Sequence, residues 1–304
     1  MAADDSMGES APMTAQAFGG GARKPAPGLH FLATPIGAAR DITLRALDIL
    51  QMADVLAAED TRTLRHLMEI HGIALNGRPL IAYHDHNGEQ ARPRLLAALA
   101  EGKVVGYASE AGTPLVADPG FQLGRAAIAA GHPVFAAPGP SAVLAALTVS
   151  GLPSDRFLFA GFPPNTQTAR RKWLSEMADL QATVIFYESP KRVAAMLADL
   201  AETFGPDRPA VLCRELTKRF EEVRRGSVAE LIEGLQTAPI KGEIVVLLDR
   251  PHGPRVGPED IDTALRDRLS RMRVKDAATE VAQAFGLPRR DVYQRALALD
   301  HDDD

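Results

Sequence analysis

Among 304 residues there is one cysteine, Cys213. That excludes an intramolecular disulfide and a metal cage built from several thiolates, and it fits a reducing compartment. Also missing is any run of the roughly 18 to 20 apolar residues that a membrane-spanning helix needs. The longest apolar stretches are broken by Gly, Pro or charge, so no membrane association is expected. The formal net charge of -5 gives no long-range attraction to nucleic acid, and a polyanionic partner would have to be met by local basic clusters. No G-x-G-x-x-G follows a strand signal, no G-x-x-x-x-G-K appears, and no zinc-ligand spacing is present. Residues 1–27 are small, polar and rich in Gly and Pro without an apolar core, which predicts a disordered tail rather than a secretory signal.

What is present is a regular rhythm from residue 28 onward. "GLHFLATPIG" reads as a strand running into a turn, "ITLRALDILQMA" as a helix with apolar spacing near 3.6, and "DVLAAED" as a second strand. The alternation continues through "PLIAYH", "KVVGYAS" and "PVFAAPGP" as strands with helices between them. Apolar strands joined by helices predict an α/β fold with a parallel sheet over 28–147. A change of texture near residue 148 predicts a second α/β domain over 148–250. Its closely spaced strands, including a polar strand pair around "RFEEVRRGSV", favour a mixed sheet. A Pro/Gly-rich linker at 251–258 leads to three short amphipathic helices over 259–300. They are spaced as a helix-turn-helix, with Gly286 ending one helix and Pro288 starting the next.

Ligands of parallel sheets bind at the carboxyl ends of strands. Here each such end carries a polar or Pro/Gly cluster: "TPIG", "AEDTR", "YHDH", "SEAGTP" and "APGPSA". Turns favour these residue types for backbone reasons alone, so each cluster also has a plain structural reading. Gly112 would let main chain approach a ligand closely, Thr113 and Pro114 would fix the loop, and Glu110 would accept a hydrogen bond. Glu59, Asp60, His84 and Asp85 at strand ends are candidate bases. The His-Asp-His run at 84–86 does not close a metal shell, and no metal is expected to be needed for ligand binding.

The ordered strings "TPIGAARDITLRAL", "AAEDTR", "HDHN", "SEAGTPLVADPG", "PGPSA", "GLPSDRF", "FYESPKR", "RELTK" and "KGEIVVLL" resemble the tetrapyrrole methylase superfamily, and within it the branch that acts on small-subunit ribosomal RNA. The resemblance covers 28–250, and the terminal helices resemble the helix-turn-helix unit often appended there. It implies a two-domain enzyme, usually a homodimer. Such an enzyme binds S-adenosylmethionine between its domains and methylates the ribose 2'-oxygen of a cytidine in 16S RNA or the 30S subunit, in the cytoplasm.

By the same resemblance the cofactor would be held by Glu110, Ala111, Gly112, Thr113, Pro114, Pro138, Ser141 and Ala142, the last two through N–H groups at a helix start. From the second domain would come Tyr187, Arg214 and Lys241. Thr34, Pro35, Arg62, Arg170, Arg171 and Lys172 are the candidates for RNA contact, with Trp173 beside them as core. Two positions depart from the family strings: Glu110 stands where aspartate is usual, and Ala38 where asparagine is. A small-molecule methyltransferase acting on a tetrapyrrole shares the cleft, and a DNA-binding regulator would use the terminal helices. The basic "ARRK" string favours RNA over the first, and the long α/β portion argues against the second.

Overall fold

The computed structural model describes residues 24–238, 240–251, 258–285 and 287–302. The predicted tail up to residue 23, most of the predicted linker (252–257) and Gly286, the predicted helix-ending glycine, lie outside the described residues.

The first sheet has five strands in the order β3-β2-β4-β1-β5, all parallel. They are β1 (Gly28–Leu32), β2 (Val55–Ala58), β3 (Leu80–Ala82), β4 (Val104–Ala108) and β5 (Val134–Ala137). Strands β1, β2 and β4 are buried along their whole length, as near-continuous apolar runs require, because helices cover both faces. On one face α1 (Leu44–Met52) and α2 (Thr61–Ile70) pack Ile49, Leu50, Leu64 and Met68 against Leu32 and Leu56. On the other, α3 (Gly88–Ala100) and α4 (Phe121–Ala129) pack Leu95, Leu99 and Leu123 against Leu29 and Phe31. The neighbours β1 and β4 therefore lead to helices on opposite faces, and their carboxyl ends open a crevice of the kind where such sheets bind ligands.

Helix α5 (Ala142–Ser150) follows β5 and ends at Gly151, whose φ of +77° closes the helix in the left-handed region. The chain then builds a second sheet in the order β6-β7-β10-β8-β9. Its strands are β6 (Phe157–Gly161), β7 (Thr183–Glu188), β8 (Pro209–Arg214), β9 (Glu222–Ser227) and β10 (Ile244–Leu248). Only β6 and β7 pair in parallel, and the other three pairings are antiparallel, so the sheet is mixed as expected. The strand pair expected around "RFEEVRRGSV" is one strand, β9, laid against β8. Residues 215–221 before it form turns, with Glu215 (φ +49°) and Thr217 (φ +64°) in the left-handed region, and no strand can form there.

Helices α6 (Gln167–Ser175), α7 (Val193–Phe204) and α8 (Val228–Thr237) cover one face of this sheet. Trp173 packs there, its ring 5.8 Å from that of Phe186, as a core residue. The other face is covered by α5, whose Val143, Ala146 and Leu147 meet Ile185, Val211 and Leu247. A helix apolar around most of its circumference suits that position, wedged between the two halves.

The terminal helices α9 (Pro258–Leu269), α10 (Val274–Phe285) and α11 (Arg289–Asp302) enclose their own small core of Leu265, Val281 and Val292. Among the described residues no helix is long and apolar enough to cross a membrane.

Candidate functional site

The loops after β1 and β4 are stitched together at the mouth of the crevice. Thr34 and Gly112 exchange backbone hydrogen bonds, both of 3.0 Å, in an isolated bridge. Thr34 Oγ1 donates to the Ser109 carbonyl (3.1 Å), and Ser109 Oγ donates to the Gly112 carbonyl (2.5 Å). Gly112 has φ +80°, where an L side chain is strained, and a Cβ there would lie 3.3 Å from Ile36 Cγ2.

Leu115 (φ +71°) and Ala117 (φ +56°) are also left-handed, and Asp118 holds that geometry. Its Oδ1 accepts from the Leu115 N–H (3.2 Å), the Gly120 N–H (2.8 Å) and the Tyr107 hydroxyl (3.0 Å). Its Oδ2 is buried in protein and has no hydrogen-bond partner there. Thr113 Oγ1 donates to the Pro140 carbonyl (2.9 Å), tying this loop to the start of α5.

The second domain closes over these loops. The Ala38 N–H donates to Thr217 Oγ1 (3.1 Å), and Gly37 packs so closely on Thr217 and Lys218 that a Cβ would meet them at 2.6 and 2.5 Å. Lys218 in turn bridges Glu215 and Glu243, 3.1 Å from each. Between the domains lies a cleft of about 510 Å³, within the range of small-molecule sites.

From the first domain its walls take Ile36, Glu59, Ser141, Ala142 and the loop Glu110–Thr113 with Val116–Asp118. From the second they take Phe162, Tyr187–Pro190 and Gly242–Val245. Five carboxylates (Glu59, Glu110, Asp118, Glu188 and Glu243) and no Lys or Arg line the cleft among the described residues. Burial, and then the negative charges of Asp118, Glu110, Asp85 and Asp60, raise the pKa of Glu59. Burial pushes the Tyr187 phenol up to about 12.

Of the residues singled out in the sequence, the cleft brings together Glu59, Glu110, Ala111, Gly112, Thr113, Ser141, Ala142 and Tyr187. Others serve different ends. Asp60 caps α2 through the Arg62 N–H (2.7 Å) and pairs with the Arg62 guanidinium (2.8 Å), which holds its carboxyl at about 2. Arg62 is thereby folded onto its own helix start. His84 and Asp85 belong to the turn closed by Asn87 and lie outside the cleft lining, and the charge of Asp85 helps to raise the pKa of Glu59. Pro114 is buried beneath the loop, and Pro138 lies outside the cleft.

Arg214 is turned away from the cleft, donating to the Lys241 carbonyl (2.7 Å) and pairing with Glu222 (3.4 Å). Lys241 itself is exposed just before the wall that begins at Gly242. Thr34 is buried in the bridge described above, with Pro35 beside it. Arg170 is buried against Asp199 (2.6 Å), and Arg171 pairs with Asp199 (2.7 Å) and Glu202 (3.0 Å), so neither is free for a phosphate. Of the three basic residues in that string only Lys172 is exposed.

Sequence reasoning missed Asp118 and Phe162; the strand-end strings "YES" and "KGE" did point to the stretches that hold Glu188 and Gly242–Glu243, although the residues singled out from them were Tyr187 and Lys241. The Asp-Pro-Gly at 118–120 was a usable sign, since an aspartate there closes a turn on its own backbone. Among the described residues no group of three or more His, Cys, Asp or Glu is placed to hold a metal ion.

Comparison with known proteins places this architecture. The family model "Tetrapyrrole (Corrin/Porphyrin) Methylases" matches residues 28–232, and "RsmI C-terminal HTH domain" matches 255–300. Proteins named ribosomal RNA small subunit methyltransferase I are similar over nearly the whole chain. The one from Mesorhizobium japonicum is 46% identical over 279 residues, covering 91% of this chain and 94% of its own. That from Mycobacterium tuberculosis (strain CDC 1551 / Oshkosh) is 42% identical, covering 87% and 93%. Among solved structures, a cobalt precorrin-4 methyltransferase of cobalamin biosynthesis superposes with a TM-score of 0.56 at 20% identity, over 73% of this chain and 94% of that one. A uroporphyrin-III C-methyltransferase from Thermus thermophilus, complexed with S-adenyl homocysteine, superposes with a TM-score of 0.51 at 19% identity, over 73% and 96%. The two likenesses to solved structures describe the fold. With its parallel and mixed sheets meeting at an acidic cleft and its terminal helical unit, the chain belongs to the tetrapyrrole methylase family, alongside the small-subunit ribosomal RNA methyltransferases I.

Proposed function

We propose that the protein is an S-adenosylmethionine-dependent methyltransferase that modifies the ribose 2'-oxygen of a cytidine in small-subunit ribosomal RNA, working in the cytoplasm on 16S RNA or the 30S subunit. The observation that carries this reading is identity of 39–46% to ribosomal RNA small subunit methyltransferases I along about nine-tenths of the chain.

The cleft fits the donor. Its walls carry only negative formal charge, which suits a sulfonium and an ammonium. The buried, unpartnered Asp118 Oδ2 offers an acceptor to an amine or hydroxyl, and Ile36, Val116 and Val245 supply apolar wall for an adenosine. The residues that would hold the donor are Ala111–Thr113, Asp118, Ser141, Ala142 and Gly242–Val245. When bound, S-adenosylmethionine supplies an electrophilic methyl group. The chain's own task is to hold an oxygen in line with that methyl and to take its proton. We assign the proton to Glu59, the cleft carboxylate whose pKa its surroundings raise. Positive charge for the RNA backbone remains on the exposed Arg40, Arg45 and Arg65 near the first loops and on Lys172.

A homodimer is supported by apolar residues left exposed at the two sheet edges β5 and β6, namely Phe135, Phe157 and Leu158. Light scattering that returned a monomer mass at micromolar concentration would reject it. The catalytic reading is tested with labelled methyl donor and 30S particles or 16S RNA lacking the modification. One alkali-resistant labelled cytidine is expected, and no transfer, or transfer to a base nitrogen, would overturn the assignment.

A further inference from the structure

On the second-domain rim of the cleft the chain departs from regular structure to place one aromatic ring. Strand β6 pairs with β7 in step from Phe157 opposite Thr183 to Phe159 opposite Ile185, then skips a residue so that Gly161 stands opposite Phe186. Such a bulge re-aims the side chains that follow it. Gly161 has φ +76° and open space where a Cβ would be, so glycine is needed there for conformation and not for room. The outcome is that Phe162 leaves the line of the strand and borders the cleft, 57% exposed and edge-on to Tyr187 at 5.6 Å.

The next residues are clamped. Arg192 donates to Asn165 Oδ1 and to the carbonyls of Pro163 and Pro164. Its guanidinium lies 3.1 Å from Glu188 Oε2, and the Glu188 side chain is fully buried. Arg170 adds donors to the Pro164 and Asn165 carbonyls at 3.3 Å. Two arginines from two basic strings thus hold one short segment, and what that segment presents is an open phenyl ring.

We propose that Phe162 is the platform on which the base of the target nucleotide stacks, and that Arg192 with Glu188 is a positioning pair that keeps it in place. The proposal rests on the RNA reading above. A ribose oxygen reaches a methyl donor inside a cleft only if its nucleotide is drawn out of its stack, and an unstacked base needs an apolar π-face. The donor's adenosine is the other possible occupant. The apolar wall suited to it is the buried part of the cleft, Ile36 and Val245 at 7% and 6% exposure, whereas Phe162 stands at the open rim.

The test measures KM and kcat for RNA, and donor affinity by calorimetry, for Phe162→Ala, Phe162→Trp and Arg192→Lys. Loss of one base-stacking contact raises the RNA KM by about 5- to 150-fold. That rise is expected for Phe162→Ala with donor affinity unchanged within about twofold, and Phe162→Trp should restore it because stacking tolerates any aromatic face. Lysine keeps the charge but not the fork, so Arg192→Lys should raise KM as well, and should add nothing in the Phe162→Ala background. An unchanged RNA KM, or a parallel loss of donor affinity, overturns the platform. Full additivity of the two changes overturns the positioning pair. If the wild-type protein transfers no methyl to RNA, the functional reading falls and the platform with it; if it does transfer, the KM comparison judges Phe162 alone.

Discussion

Gly112 and Gly72 form a matched pair for isolating what the cleft loop contributes. Both have positive φ, +80° and +67°, so alanine at either site should cost about 1–2 kcal/mol of backbone strain. They differ in surroundings: a Cβ at Gly72 meets nothing within 4 Å, whereas one at Gly112 would press on Ile36 Cγ2 at 3.3 Å. Ile36 is 7% exposed and lines the cleft, so the loop has to shift instead. That shift moves Ala111–Thr113 against the donor, and we expect it to weaken donor binding by about tenfold, or about 1.4 kcal/mol. The assay is denaturant unfolding with and without S-adenosylmethionine. A donor present at a hundred times its wild-type Kd adds about 2.7 kcal/mol to the wild-type protein and to Gly72→Ala, but only about 1.4 kcal/mol to Gly112→Ala. Equal donor stabilisation in all three proteins would refute the placement of the loop on the donor. Equal loss in both variants would show that strain alone, and not the site, is being read.

Two further perturbations test groups whose titration the structure shifts. Glu59→Gln should lower kcat by about 10²- to 10⁴-fold with little change in donor affinity, and the wild-type kcat should rise with pH through a midpoint above the ordinary carboxylate value of about 4.3. Because its folded pKa is raised, ionised Glu59 costs stability at neutral pH, so the Gln variant should also unfold later; kcat retained within threefold would remove Glu59 from catalysis. Asp199→Asn should cost about 3–5 kcal/mol, since Arg170, 5% exposed, loses its buried counter-charge. Burial opposes the Asp199 charge, but hydrogen bonds from Arg171, Arg170 and Gln167 outweigh it and depress the pKa. That contribution is therefore full above the unfolded value of about 3.9 and is lost as pH falls through the lower folded pKa. An unfolding midpoint equal to wild type would refute the account.

The parallel sheet was legible because burial on both faces writes itself as unbroken apolar runs such as "KVVGYA", and the strand-end rule then pointed to 109–114 and 141–142. The residues misread were mostly charged. Nothing in "ARRK" tells that Arg170 and Arg171 meet Asp199 from 28 or 29 positions away. An ion pair's partner is set by tertiary approach, which leaves no period in the chain. The same holds for Phe162, whose exposure comes from a bulge that hydrophobic alternation does not record. Asp118 escaped because it lies well past the strand end, and only the folded loop returns it to the cleft.

Helix α5 has a consequence for how the molecule melts and opens. In the chain it trails the first sheet, yet Val143, Ala146 and Leu147 form the underside of the second. The second sheet therefore keeps a complete core only while α5 stays on it, and the two are expected to unfold in one transition. The two halves also meet at the Ala38–Thr217 bond. On opening of the cleft, α5 is expected to travel with the second sheet, because its buried side chains pack there.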